Sequence, residues 1–214
     1  MIIKKLTVSF LLLSLAWSQV FSAECVGGIC TAKLPDSSVY TGQMKNNLFH
    51  GKGKLVWRNG DVYEGSFQYG LKHGYGIQKI KAGWTYKGNY TNGLENGKGE
   101  FVSATGQKYV GNFKDAVFSG YGVYTEKDFT YKGQFKNSQY HGKGMTIFAS
   151  GDKYEGTYRN GFFYGKGKFH YTNGDRYEGE FAKGNFHGNG TFYSKSGKIV
   201  KGTWSNGKLI MNKK

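Results

Sequence analysis

Rings and polar residues alternate along most of this chain with a period of two. In Tyr154-Glu155-Gly156-Thr157-Tyr158, the two rings and Gly156 fall on one face, and Glu155 and Thr157 on the other. Such alternation predicts a half-buried β-strand. Arg159-Asn160-Gly161 follows, and Asn-Gly accepts the positive φ values of a two-residue hairpin turn. Gly165-Lys166-Gly167-Lys168-Phe169 then reads as a return strand, with Gly165, Gly167 and Phe169 facing inward and both lysines outward. Asn173-Gly174-Asp175 turns the chain toward the next tyrosine. Glycine normally weakens a strand; here its missing Cβ leaves room for rings to lie against the backbone.

The unit repeats. Its leading tyrosine recurs as Tyr40, Tyr63, Tyr86, Tyr109, Tyr131, Tyr154 and Tyr177, with Val200 in the eighth place. The interval is 23 residues, except 22 between Tyr109 and Tyr131. Two residues after each leading position stands a glycine: Gly42, Gly65, Gly88, Gly111, Gly133, Gly156, Gly179 and Gly202. A second column runs from Gly51 to Gly188 and a third from Gly53 to Gly190. A fourth, from Gly60 to Gly197, fails only in the short repeat, where Phe129 stands. A partial fifth holds Gly70, Gly93, Gly161, Gly184 and Gly207, so only Gly27 and Gly28 lie outside the pattern. Periodicity of this kind marks a repeat architecture in which each hairpin buries its inner face with its neighbours.

The column pattern, close to Y-x-G-x-[FYW]-x-x-G-x-x-x-G-x-G, resembles the MORN repeat (membrane occupation and recognition nexus). It recurs seven times with a partial eighth, from Tyr40 to about Ile210. Departures are mild: Val200 replaces the leading tyrosine, Met44 replaces the first aromatic, and the fourth repeat is one residue short near Asp128. The resemblance implies an all-β, elongated antiparallel hairpin array used for binding, assembly or membrane association.

Residues 1–23 read as a secretory signal peptide: Lys4 and Lys5 precede a short apolar run from Leu6 to Trp17, with small residues near Ser22 and Ala23. The apolar run is shorter than the ~20 residues of a membrane span, which favours cleavage over a retained anchor. Residues 24–39 read as an N-terminal cap, 40–210 as the array and 211–214 as a basic tail. Within the cap, Gly28 to Val39 looks like a return strand lacking its partner. Cys25 and Cys30 are the only cysteines, and in an exported chain so close a pair is most simply a disulfide. Closing that loop stabilises by about 2 kcal/mol in the chain-entropy model. The spacing is not that of a CxxC redox pair.

Composition sharpens these readings. The chain has 214 residues with 35 Gly, one Pro, 17 Tyr and 16 Phe. So much ring surface excludes a disordered tail, and so much glycine excludes an all-helical fold. The formal charge is +16, and +14 remains once Lys4 and Lys5 leave with the leader. Such an excess favours anionic partners. Export makes nucleic acid an improbable one and leaves a protein partner or an anionic membrane or envelope surface.

No catalytic constellation stands out. His50, His73, His141 and His187 share one repeat column, but successive hairpins advance two strands, ~9.5 Å, so four imidazoles cannot meet on one ion. A turn-side hydrogen bond accounts for them better. Asp61, Asp152, Asp175, Glu64, Glu155 and Glu178 also repeat with the array, unlike the single paired carboxylates of a glycosidase. Neither GxGxxG nor GxxxxGK[ST] occurs, and no cofactor is implied. The candidate chemistry is the outward face of the return strands. It carries Lys52 and Lys54, then Tyr75, Lys98, Tyr121, Lys143, and finally Lys166 and Lys168. This basic strip interleaved with aromatics suits acidic lipid headgroups, each lysine contributing ~1 kcal/mol near a membrane, or anionic envelope glycans. It is equally what a solvated face needs to keep sheet edges apart. The expected function is therefore non-catalytic: an exported binding or scaffolding module.

Overall fold

The computed structural model describes residues 22–212, which form two units, 22–117 and 118–212. Most of the expected leader lies outside the described residues; Ser22 and Ala23 open the first strand. Lys213 and Lys214 of the basic tail are likewise outside. Among the described residues there are strands and turns but no helix.

The first unit is an antiparallel meander of β1 (Ser22–Val26), β2 (Ile29–Lys33), β3 (Val39–Lys45), β4 (Leu48–Val56), β5 (Val62–Gln68), β6 (Leu71–Lys79), β7 (Thr85–Thr91), β8 (Leu94–Val102) and β9 (Lys108–Lys114). Each strand pairs with the next in sequence. The second unit is built the same way, from β10 (Val117–Thr125), β11 (Phe129–Lys136), β12 (Gln139–Phe148), β13 (Lys153–Arg159), β14 (Phe162–His170), β15 (Arg176–Ala182), β16 (Asn185–Tyr193), β17 (Ile199–Ser205) and β18 (Lys208–Asn212). The all-β hairpin array expected from the 23-residue period is present.

Turn chemistry explains the local geometry. In the β13–β14 hairpin Arg159 pairs with Phe162, so Asn160 and Gly161 form a two-residue turn with φ of 50° and 86°. Both values are positive, as a type I′ turn requires. The connection between repeats is different. Trp57 N–H donates to Asp61 O at 2.9 Å and Gly60 N–H to Trp57 O at 2.8 Å, with Gly60 at φ 90°. This is a three-residue loop whose last position is left-handed, the usual place for glycine. The short repeat dispenses with that position. Glu126 N–H donates straight to Phe129 O at 3.0 Å, and Phe129 is a buried strand residue.

The core lies on one face of each unit. First- and third-column glycines face each other across the strands: Gly42 with Gly53 and Gly53 with Gly65, and again Gly156 with Gly167 and Gly167 with Gly179. Over each such pair lies the leading tyrosine. A Cβ built on Gly167 would stand 2.5 Å from Tyr154 Oη and 2.7 Å from its ring carbons. Each hydroxyl then donates to the backbone carbonyl three residues on: Tyr63 to Ser66 at 2.9 Å, Tyr109 to Asn112 at 2.8 Å, Tyr154 to Thr157 at 3.0 Å. A buried phenol is thereby satisfied within its own strand. Burial pushes the Tyr40, Tyr63 and Tyr154 phenols up, that of Tyr40 to about 12 against the smaller, lowering effect of a backbone hydrogen bond.

Rings of neighbouring repeats meet edge to face. Tyr40 and Phe67 lie 5.3 Å apart, Tyr86 and Phe113 4.9 Å, Tyr154 and Phe181 4.9 Å. A third ring stacks flat on the leading tyrosine: Phe49 on Tyr40 at 3.9 Å, Phe163 on Tyr154 at 3.8 Å, Phe186 on Tyr177 at 3.8 Å. Such contacts add about 0.5–1.5 kcal/mol beyond area. In two repeats the stacking position holds Lys72 and Glu95 instead.

One sequence expectation is corrected. Gly165 does not seat a ring. The register slips between Gly156 and Tyr158, so Thr157 faces a bulge on β14. Gly165 occupies that bulge at φ 63°, and Gly51, Gly74, Gly97, Gly142 and Gly188 do the same in their repeats, while Gly120 shares the positive φ. The second column is glycine for backbone conformation, with no ring against it; at Gly51, Gly142 and Gly188 the side chains of Gln43, Gln134 and Glu180 also take the place of a Cβ. At the first repeat the bulge is capped from the facing strand: Gln43 Oε1 accepts from Lys52 N–H at 2.8 Å.

At the N-terminal end Cys25 and Cys30 are joined by a disulfide across the β1–β2 pair. The return strand β2 is thus not alone: β1 pairs with it through the Gly27-Gly28 turn.

The inter-repeat turns are latched to one another. Asp61 Oδ1 accepts from Lys81 N–H at 2.9 Å, Asp152 Oδ1 from Thr172 N–H at 2.9 Å, and Asp175 Oδ1 from Lys195 N–H at 2.8 Å. Those backbone donors hold the Asp152 and Asp175 carboxyls below the ordinary carboxylate value of about 3.9. A depressed folded-state value means the latch contributes fully above about pH 4 and is lost as pH falls further. Urea midpoints measured from neutral pH downward are therefore expected to drop below about pH 4. The drop is expected to shrink in the Asp152→Asn/Asp175→Asn chain; an unchanged acid limb would remove the latch from the account.

Candidate binding surface

Alternation places every candidate residue of the return strands opposite the rings. Lys52, Lys54, Tyr75, Lys98, Tyr121, Lys143, Lys166 and Lys168 are all exposed. Tyr75 is 55% and Tyr121 61% exposed, unlike the buried leading tyrosines Tyr40, Tyr63, Tyr86, Tyr109, Tyr131, Tyr154 and Tyr177. Four of the eight belong to each unit.

The forward strands add what the strip reading left out. Outward residues there stand directly beside the lysines: Glu64 faces Lys54, Glu180 faces Lys166, and Glu155 and Glu178 flank Lys168. Several are ion-paired. Lys168 Nζ lies 3.3 Å from Glu178, Lys153 Nζ 3.0 Å from Glu155, Lys108 Nζ 2.7 Å from Glu100, and Arg176 Nε 3.2 Å from Glu178. The bond from Lys153 holds the Glu155 carboxyl below its usual range. These pairs are exposed, so each contributes at most about 1 kcal/mol. Their larger effect is on the field, because they neutralise part of the strip. The sequence shows Glu64, Glu155 and Glu178 repeating with the array, but a strip read from the return strands alone leaves out their charge.

Within the second unit this face is concave. A trough of about 1050 Å³ runs over the glycine line from Gly133 to Gly179. Tyr121 and Met145 form its apolar contacts, and Lys132, Lys143 and Lys166 line it with the ion-paired residues. Lys132, Met145 and the acids were not among the sequence candidates.

Among the described residues, no three His, Cys, Asp or Glu side chains come together as a metal site would need. What the geometry offers is contact: charge and rings repeated at fixed intervals along the sheet of each unit.

The MORN repeat family matches residues 40–62, 63–85, 86–108, 109–127, 131–153, 154–176 and 177–199. The chain belongs to the MORN repeat family. The fourth MORN unit stops at 127 and the next begins at 131, bracketing the shortened turn at Glu126–Phe129. The match is to a repeat and binding module, not to a catalytic domain. No curated protein matches the chain. Among solved structures, the MORN array is similar to the wild-type TCP10 domain of Danio rerio CPAP in complex with a peptide of STIL. That similarity is 12% identity and a TM-score of 0.42, over 90% of this chain and 98% of that one. It is also similar to the TCP domain of SAS-4 (dCPAP) of Drosophila melanogaster, in complex with a proline-rich motif of Ana2. There the identity is 10% and the TM-score 0.38, over 86% and 90% of the two chains. Likeness at these TM-scores contributes nothing to the functional reading.

Proposed function

We propose that this MORN protein is an exported, non-catalytic binding module that presents its outward face to a protein partner or to the cell-envelope surface. The observation that carries this reading is the segregation of the repeat. Rings, glycines and bonded hydroxyls serve the inner face, while the outer face keeps exposed lysines and tyrosines in register from hairpin to hairpin. Weak contacts repeated on one scaffold accumulate avidity. Export rests on the leader residues 1–23 and accords with the Cys25–Cys30 disulfide, a bond suited to an oxidising compartment.

The test is cross-linking and pull-down from the native envelope with the full chain. Charge reversal at Lys52, Lys98, Lys143 and Lys166 together is expected to reduce capture of the specific partner about tenfold or more. Unchanged capture removes the outward face from the mechanism.

A second reading, direct binding of acidic lipid headgroups or anionic glycans, is favoured by Tyr75 and Tyr121 standing exposed in the same strip as the lysines. Co-sedimentation with anionic liposomes would then be strong at low salt and weak at high salt. Equal sedimentation with neutral and anionic vesicles removes it.

A further inference from the structure

We infer that the trough of the second unit holds an extended acidic segment of the partner protein. The inference rests on the binding-module reading and specifies its ligand. The trough, at about 1050 Å³, is at the upper end of the range for ligand pockets, ~300–1,000 Å³, and it is open along its length. It therefore suits a few residues of an extended chain.

Its charge is not balanced. Glu155 is held by Lys153 at 3.0 Å, and Glu178 by Lys168 at 3.3 Å and Arg176 at 3.2 Å. Glu180 turns its carboxylate against the Gly188 backbone. Among the described residues, Lys132, Lys143 and Lys166 have no carboxylate within ion-pair distance. The charge left to a ligand is thus positive, in a chain already at +16. Opposite potentials of this kind select the partner and speed its approach.

Spacing argues for an extended chain of polyproline II form. Lys143 faces Thr157 on β13, and Thr157 in turn faces the bulge that carries Lys166 on β14. The two lysines therefore stand two strands apart, ~9.5 Å. Three residues of a polyproline II chain make one turn and advance ~9.3 Å, which returns every third side chain to the same face. Acidic side chains three apart would reach both ammonium groups, with Tyr121 and Met145 taking apolar side chains beyond them. A flat anionic surface fits less well. It would meet Glu155 and Glu178 together with the lysines between which they stand.

Fluorescence anisotropy of the full chain tests this with a labelled peptide of about nine residues, glutamate at every third position, against the same peptide with glutamine. The glutamate peptide is expected to bind, at least tenfold more tightly than the glutamine one at low salt. Lys143→Gln/Lys166→Gln should weaken it by about tenfold, and Lys81→Gln/Lys195→Gln at the inter-repeat turns by less than about twofold. All four lysines are exposed, so the variants keep their fold, which circular dichroism verifies.

The inference is overturned by equal affinity for the two peptides, or by equal loss in both variants. It is also overturned if anionic phosphatidylglycerol vesicles sediment the chain with the same dependence on Lys143 and Lys166, which would make a membrane the occupant. A concentration-dependent dimer abolished by the same pair of changes would make it a second copy. If the envelope partner is still captured by Lys143→Gln/Lys166→Gln at full strength, the binding-module reading stands and this inference fails.

Discussion

Gly167→Ala is expected to destabilise the second unit by about 2–3 kcal/mol, as overpacking of a close-packed core does. The added methyl would stand 2.5 Å from Tyr154 Oη and 2.7 Å from two ring carbons. The ring cannot retreat. Phe163 is stacked on it at 3.8 Å, Phe181 meets it edge-on at 4.9 Å, and its hydroxyl is tied to Thr157 O at 3.0 Å. The control is Gly106→Ala. Gly106 has open space around its missing Cβ but sits at φ 83°, so alanine there meets only backbone strain, about 1 kcal/mol. Urea unfolding midpoints compare the two. A double-mutant cycle isolates the cause. Tyr154→Ala alone costs about 3–5 kcal/mol as a large-to-small core change, and Gly167→Ala added to it is expected to cost much less than in the parent. Strict additivity, or equal effects at Gly167 and Gly106, would dismiss the ring seat.

The second large effect has the opposite sign. Lys72→Phe/Glu95→Phe is expected to stabilise the first unit by about 1–4 kcal/mol, as replacement of buried ions by apolar side chains does. Phe49, Phe163 and Phe186 fill the equivalent position by stacking on the leading tyrosine. Lys72 instead reaches Gln78 Oε1 at 2.7 Å and lies 4.7 Å from the centre of the Tyr90 ring. Glu95 is only 2% exposed, and its Oε1 has no hydrogen-bond partner. Burial lowers the Lys72 ammonium and raises the Glu95 carboxyl, each opposed by the charge of the other. Either single substitution leaves the other charge buried alone and is expected to destabilise by about 3–5 kcal/mol. Gln78 keeps a donor in both cases, because Tyr90 hydroxyl lies 3.3 Å from its Oε1. Urea midpoints of the two single variants and the double variant decide the matter. A double variant weaker than the parent would show that the polar pair does more for the core than two rings.

How much of this was legible follows from the range of each interaction. The Asn160-Gly161 turn, the tyrosine faces and the outward lysines depend on residues within one hairpin. A period of two and a pair of positive-φ residues suffice to read them. The role of Gly165 did not follow, because a bulge is a property of two strands in register and looks in sequence like one more alternating glycine. The carboxylates beside Lys54, Lys166 and Lys168 are visible in the sequence, but their partners are 10 to 14 residues away and only strand pairing selects them. Lys72 and Glu95 were visible as polar residues next to His73 and Asn96. Nothing local says that they point into a column of rings.

The sequence by itself determined that the chain would fold as repeated two-stranded units with rings on one face. Glycine placement and side-chain alternation act within a few residues, and each repeat restates them. Only the tertiary structure decided which glycines give space and which give backbone freedom, which lysines keep their charge unopposed, and where two ions stand in place of rings. Those outcomes depend on what lies across a strand or in the next hairpin, and contact between neighbours settles them.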